Sequence, residues 1–100
     1  MIVENPENYV FVRFEVARNS PRYKYYLVIR NKETGREKRI PFGGKHPDGT
    51  PYEHYRDTAL GYYSRYDHND RERRRRYRAR HAGEETRKFS SGWASWHYLW

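Results

Sequence analysis

The chain has no cysteine. Without thiols there is no disulfide framework, no thiolate zinc site and no cysteine nucleophile, and the redox compartment is left open. Long apolar runs are missing too. Nothing approaches the ~18–20 residues of a membrane span, and no apolar signal region follows Met1, so a soluble protein without a visible routing signal is expected. Hydrophobic residues are scarce, 35% against 34% charged, and mean hydropathy is −1.37. That balance leans towards disorder. Eleven Tyr, four Phe and three Trp oppose it, because each ring buries a large area while Tyr and Trp keep a polar handle. With 100 residues the chain is one small domain, burying roughly 60–70% of its unfolded surface. The expectation is a thin core held by aromatics and completed by a partner.

The abundant charge is positive. Seven of the ten residues Arg71–Arg80 are arginine and one is acidic, carrying nearly all of the net charge of +8. Such a surface repels itself, and its natural partner is a polyanion or an acidic protein face. The run is not paired with a Leu/Phe face, which argues against a membrane-surface helix.

Secondary structure follows from periodicity. Tyr9–Val16 alternates, placing Val10, Val12, Phe14 and Val16 on one face and Tyr9, Phe11, Arg13 and Glu15 on the other. Asn19-Ser20-Pro21 marks a loop, and Tyr23–Arg30 is rich in strand-forming types. Gly35 suits the turn of a hairpin, and residues 36–42 make a third strand with Ile40 and Phe42 facing one way. Residues 42–51 hold three Gly and two Pro and read as loop. Tyr52–Tyr66 has room for a helical turn or two near residues 55–60 before Gly61. A basic helix over 67–83 is predicted, with Asp67 or Asn69 as N-cap, Asp70 and Glu72 in the first turn, and Gly83 as the stop. Residues 84–100 form a tryptophan-rich tail. The expected fold is therefore α+β: a three-stranded antiparallel meander (1–42), an irregular Gly/Pro loop (43–66), one arginine helix, and the aromatic tail packed on the sheet.

The candidate polyanion-binding residues are Arg71, Arg73, Arg74, Arg75, Arg76, Arg78 and Arg80. At 100° per residue Arg73, Tyr77, Arg80 and His81 share a face, and Arg71, Arg74, Arg75 and Arg78 spread over the rest. Only Tyr77, Ala79 and Ala82 are apolar, so the helix has no stripe for an ordinary core. A merely solvated helix would interleave signs for i,i+4 support. Arginine rather than lysine favours bidentate phosphate or carboxylate contact. Trp93, Trp96 and Trp100, spaced three and four apart, share a face if helical. They serve either as the missing half of the core or as an anchor in another subunit. Tyr77 and His81 belong to the same partner-or-core group.

Metal and catalytic chemistry find little support. His68 with Asp70 lies about 18–20 Å along the helix from His81, too far to share zinc. Gly43-Gly44 lacks the helix and Lys-Ser/Thr of a phosphate loop, and a lone H-x-D is a weak nuclease signal. No enzyme, cofactor, metal or small-molecule substrate is expected.

One longer pattern remains. Tyr66-x-His68-x-Asp70-x-x-Arg73-x-x-x-Tyr77-x-x-Arg80-His81, then Glu84-Glu85, then Ser91-Gly92-x-x-x-Trp96-x-x-Leu99-Trp100 resembles a family of small uncharacterised proteins of large DNA viruses. These share a short sheet ending in Phe-Gly, matched by Phe42-Gly43, and a Trp-rich close. The loop between Gly43 and Tyr66 is longer here. The resemblance implies a viral setting and no mechanism. The expected role is a non-enzymatic minor structural or assembly component of a viral particle, in the virion or otherwise the host-cell interior. It would dock by its Trp-rich tail and arginine helix between larger viral subunits or onto the genome. The alternative is a nucleic-acid-binding protein without sequence preference.

Overall fold

A computed structural model describes residues 3–100; of the span 1–42 assigned to the meander, Met1 and Ile2 lie outside them. Three strands, β1 (Tyr9–Val16), β2 (Tyr23–Asn31) and β3 (Glu37–Gly44), pair in the order β1-β2-β3 with both neighbours antiparallel. The turn after β2 is closed by the Asn31 side chain, which accepts from the backbone N–H of Glu33 and Thr34, and by Gly35 at φ +73°. With two helices, α1 (Arg71–Arg80) and α2 (Ser91–Tyr98), the architecture is the expected small α+β fold.

One face of the sheet carries the core. Tyr25, Leu27, Ile29, Ile40 and Phe42 are fully buried, with Phe14 and Val16 packed against them. The alternation predicted for β1 is corrected by a β-bulge. Phe11 pairs with Ile29 and Arg13 with Val28, so Val12 is the extra residue. A single inserted residue flips the side-chain parity. Tyr9 and Phe11 therefore share the face of Phe14 and Val16, and Phe11 lies 5.1 Å from Phe14, ring to ring.

The opposite face buries Val28 under charge. Arg13 and Arg39 flank it in register. Glu15 accepts from Arg39 Nε and Arg13 Nε at 2.8 Å each, and Glu37 accepts from Arg13 at 3.0 Å. Arg39 and Arg13 hold the Glu15 carboxyl below its usual range, and Arg13 does the same for Glu37. Being exposed and salt-screened, the quartet adds little stability. Its aliphatic stems are what cover Val28.

Several boundaries differ from the sequence reading. β3 runs on through Gly43 and Gly44, which the Gly/Pro composition had assigned to loop. Gly43 at φ +75° sits where any side chain would press on Leu99 Cδ1 at 3.0 Å and on Lys24 at 3.1 Å. No helix forms near residues 55–60. That segment instead runs beside the end of α2, with Arg56 N–H donating to Leu99 O and Thr58 N–H to Tyr98 O. The basic helix spans ten residues rather than 67–83, and its N-cap is Asp70, whose carboxylate accepts from Glu72 N and Arg73 N. His81 is the C-cap, and Gly83, at φ +102°, turns the chain into a single 3-10 turn at Glu84–Thr86.

The tail folds back. Ser90 caps α2, accepting from Trp93 N at 3.1 Å. The helix packs on β3, burying Ala94 and, just past its end, Leu99. Tyr98 meets Phe14 edge-on at 4.7 Å. The tail thus completes the core within the chain.

Gly43→Ala combines a strained φ with a collision against Leu99, and should cost about 1–3 kcal/mol. Urea denaturation measures it; an unchanged midpoint would show that the Gly43–Leu99 approach is not tight.

Candidate functional site

The arginine helix has nothing apolar to bury beyond Tyr77 and Ala79, and none of its residues is buried. Side chains hold it instead. Tyr77 stacks on Trp100 with centroids 4.2 Å apart and planes at 3°, and His81 covers its other side at 4.1 Å. Burial and the nearby Glu84 push the Tyr77 phenol up to about 12. The predicted face of Arg73, Tyr77, Arg80 and His81 does come together, lining a cavity of about 470 Å³ with Lys24 and Gly43. Arg73 spans 3.5 Å to Glu53, and His81 reaches Glu84 at 2.9 Å.

The other face forms a cleft of about 400 Å³. Arg71, Arg74 and Arg78, spaced three and four apart, project on one side of α1. Arg56 and Tyr55 of the irregular loop form the facing wall, and Tyr98 and Trp100 are among the other lining residues. Aromatic planes orient the guanidiniums. Arg74 lies 4.7 Å and Arg56 5.4 Å from the Tyr55 centroid, and Arg78 lies 5.1 Å from Trp96. Arg56 Nε donates to Asn69 at 3.0 Å, and Arg78 donates to the main-chain oxygen of Trp100 at 3.2 Å. Burial alone would raise the Tyr55 phenol, yet Arg71, Arg56 and Arg74 together hold it below its usual range. Burial, with Arg74 beside it, lowers Arg78. The Tyr55 shift marks crowded positive charge; the Arg78 shift marks burial first and Arg74 second.

That charge is largely uncompensated. Among the described residues, only Arg73 and Arg75 of the seven helix arginines pair with a carboxylate, Arg75 with Glu72. No acidic side chain lines the cleft. Arg74 Nε and Arg78 Nε are shut from solvent without a hydrogen-bond partner. Arg76 is exposed on the outer side, and Arg75, also exposed, shares a shallow depression with Arg71, Arg74 and Arg78.

Sequence reasoning missed Arg56 and Tyr55, which lie in a segment with no periodicity to place them. It also missed a buried polar chain. Lys24, 1% exposed, donates to the Tyr52 carbonyl and to His54 Nδ1 at 2.8 Å. Because an ammonium can only donate, Nδ1 accepts, and the opposite nitrogen, Nε2, donates to Asp67 at 2.6 Å. Asp67 also accepts from Asp57 N–H at 2.9 Å. Asp57 in turn accepts from the Tyr25 hydroxyl and from the N–H of Ala59, Gly61 and Tyr63. Burial pushes Lys24 down to about 8 against the pull of Asp57 and Asp67. Burial and Lys24 lower His54.

The motif positions are mostly structural. His68 Nδ1 accepts from Asp70 N–H at 2.9 Å, and its ring lies 5.2 Å from Trp100. Arg73 turns to Glu53. A side chain at Gly92 would meet Glu84 Cδ at 2.6 Å. Trp93 packs against Phe89 and Tyr98. Among the described residues no three His, Cys, Asp or Glu converge to hold a metal ion. Compared with protein-family models, curated proteins and solved structures, the chain matches none.

The Lys24 shift has a definite pH consequence. Between about 8 and the ordinary 10.5 the unfolded chain holds a proton that the folded chain has lost, so this group's contribution to stability rises with pH there. Wild type should therefore gain stability from pH 8 to 10 relative to Lys24→Met. Parallel urea-midpoint curves for the two proteins would contradict the burial of a titrating ammonium.

Proposed function

We propose that the protein binds nucleic acid through its phosphates, without catalysis and without reading bases. The observation that supports this most is the unpaired arginine surface. Among the described residues most of the α1 arginines lack a side-chain carboxylate partner, and three of them converge with Arg56 on a cleft that no acidic side chain lines. Fixed guanidinium forks suit phosphate oxygens, and a cationic helix gains by releasing the counterions of a polyanion. The Trp-rich tail is packed inside the chain, which leaves the arginines as the surface best fitted to a partner. In the viral setting that the motif resemblance implies, the chain is a minor particle component with α1 against the genome.

A second reading, contact with an acidic face of a larger viral subunit, draws on the same arginines. It is favoured by Phe11, Leu60 and Tyr62, which stand 48%, 50% and 54% exposed.

Fluorescence anisotropy with single-stranded and duplex DNA separates the two. If about four phosphates are neutralised, affinity should fall roughly 100-fold between 50 and 200 mM salt. Arg75→Glu with Arg76→Glu, on the exposed side, should weaken every sequence alike. Retention of nucleic acid by that variant, or no binding at low salt, would end the nucleic-acid reading and favour the acidic subunit.

A further inference from the structure

A cationic helix needs only a convex face to meet a polymer backbone. Here Arg71, Arg74 and Arg78 turn instead into a concavity whose far wall brings a fourth guanidinium, Arg56. Building on the nucleic-acid reading above, we infer that this cleft holds the terminal phosphomonoester of a single strand, with the end nucleotide against its aromatic wall.

Charge is the first reason. A phosphomonoester carries about −1.5 to −2 near neutral pH and offers three acceptor oxygens, whereas an internal diester carries one charge on two. Four guanidiniums without an acidic side chain among the lining residues compensate the former more fully. Orientation is the second. Tyr55 braces Arg56 and Arg74, and Trp96 braces Arg78. The guanidinium planes are thus set before a ligand arrives, lowering the entropy cost of bidentate contact.

Size is the third. A volume of about 400 Å³ falls in the range of small-ligand sites, roughly 300–1,000 Å³. It exceeds what a lone phosphate fills and leaves room for an attached nucleoside beside Tyr55, Tyr98 and Trp100. A paired duplex, whose bases are stacked inside a cylinder, cannot place its end nucleotide there without fraying. Arg76, on the outer side of α1, remains available to later phosphates of the same strand.

The experiment compares one single-stranded oligonucleotide carrying a 5′-phosphate, a 3′-phosphate or neither, by anisotropy at fixed salt. One phosphorylated end should bind about tenfold tighter, the effect of one added charge-assisted contact. Arg71→Gln and Arg56→Gln, both at exposed positions outside the core, should each bring that ratio towards one. Arg76→Gln should weaken all three ligands and keep the ratio. A nucleoside monophosphate should compete better than inorganic phosphate at equal concentration. Equal affinity for all three oligonucleotides, or equal competition by the two small anions, would overturn the terminal-nucleotide site while leaving backbone binding intact. Failure of every oligonucleotide to bind would overturn both.

Discussion

The buried polar chain from Tyr25 through Asp57, and from Lys24 through His54 to Asp67, is the constraint on which the remaining architecture rests. The segment between β3 and α1 has almost no regular structure, so its backbone polar groups and its path must be fixed by side chains. Two consecutive residues of the central strand do this. Tyr25 donates to Asp57, and Lys24 reaches His54 and the Tyr52 carbonyl. Removing one member of such a buried set leaves another charge or donor uncompensated, typically costing about 3–5 kcal/mol. For a domain of this size that is a large part of its total stability.

The same clasp places the cleft. Tyr55 and Arg56 lie between His54 and Asp57, two of its anchored members, and Arg71 opens a helix capped three residues beyond Asp67. Both walls of the arginine cleft therefore descend from one hydrogen-bonded knot on β2. A helix with no apolar face could not find this position by burial. It is held by the Tyr77–Trp100 stack and by guanidinium–aromatic contacts, each of the latter worth about 0.5–1 kcal/mol at exposed sites. The aromatics that offset the poor hydrophobic content thus also aim the charge.

How much of this was legible follows from the physics of each element. The meander was readable because alternation and β-branched content act locally, and Gly35 announces its turn. The bulge was not, since one extra residue in β1 leaves composition unchanged while reversing parity. Gly43 and Gly44 misled in the other direction, their composition signalling loop where close approach of Leu99 demanded glycine in a strand. Asp70 was seen as a first-turn acid but is the cap, because His68 accepts its N–H and turns the chain there. At the site, the seven arginines were visible as a run, and the face of Arg73, Tyr77, Arg80 and His81 followed from helical spacing. Arg56, Tyr55 and the Lys24–His54–Asp67 chain were invisible, because tertiary hydrogen bonds alone bring them together.

Coupling between clasp and cleft has an energetic corollary. A ligand that spans α1 and the loop wall binds only when both are in place, so it stabilises the folded chain by mass action, about 2.7 kcal/mol at one hundred times its Kd. Repulsion among Arg56, Arg71, Arg74 and Arg78 acts in the opposite sense without a ligand, and an anion removes it. A thin core, a hydrogen-bonded rather than apolar loop anchor and a self-repelling helix all point the same way. Occupancy of the cleft should tighten the part of the molecule between His54 and Arg80 more than the sheet, whose burial is complete without it.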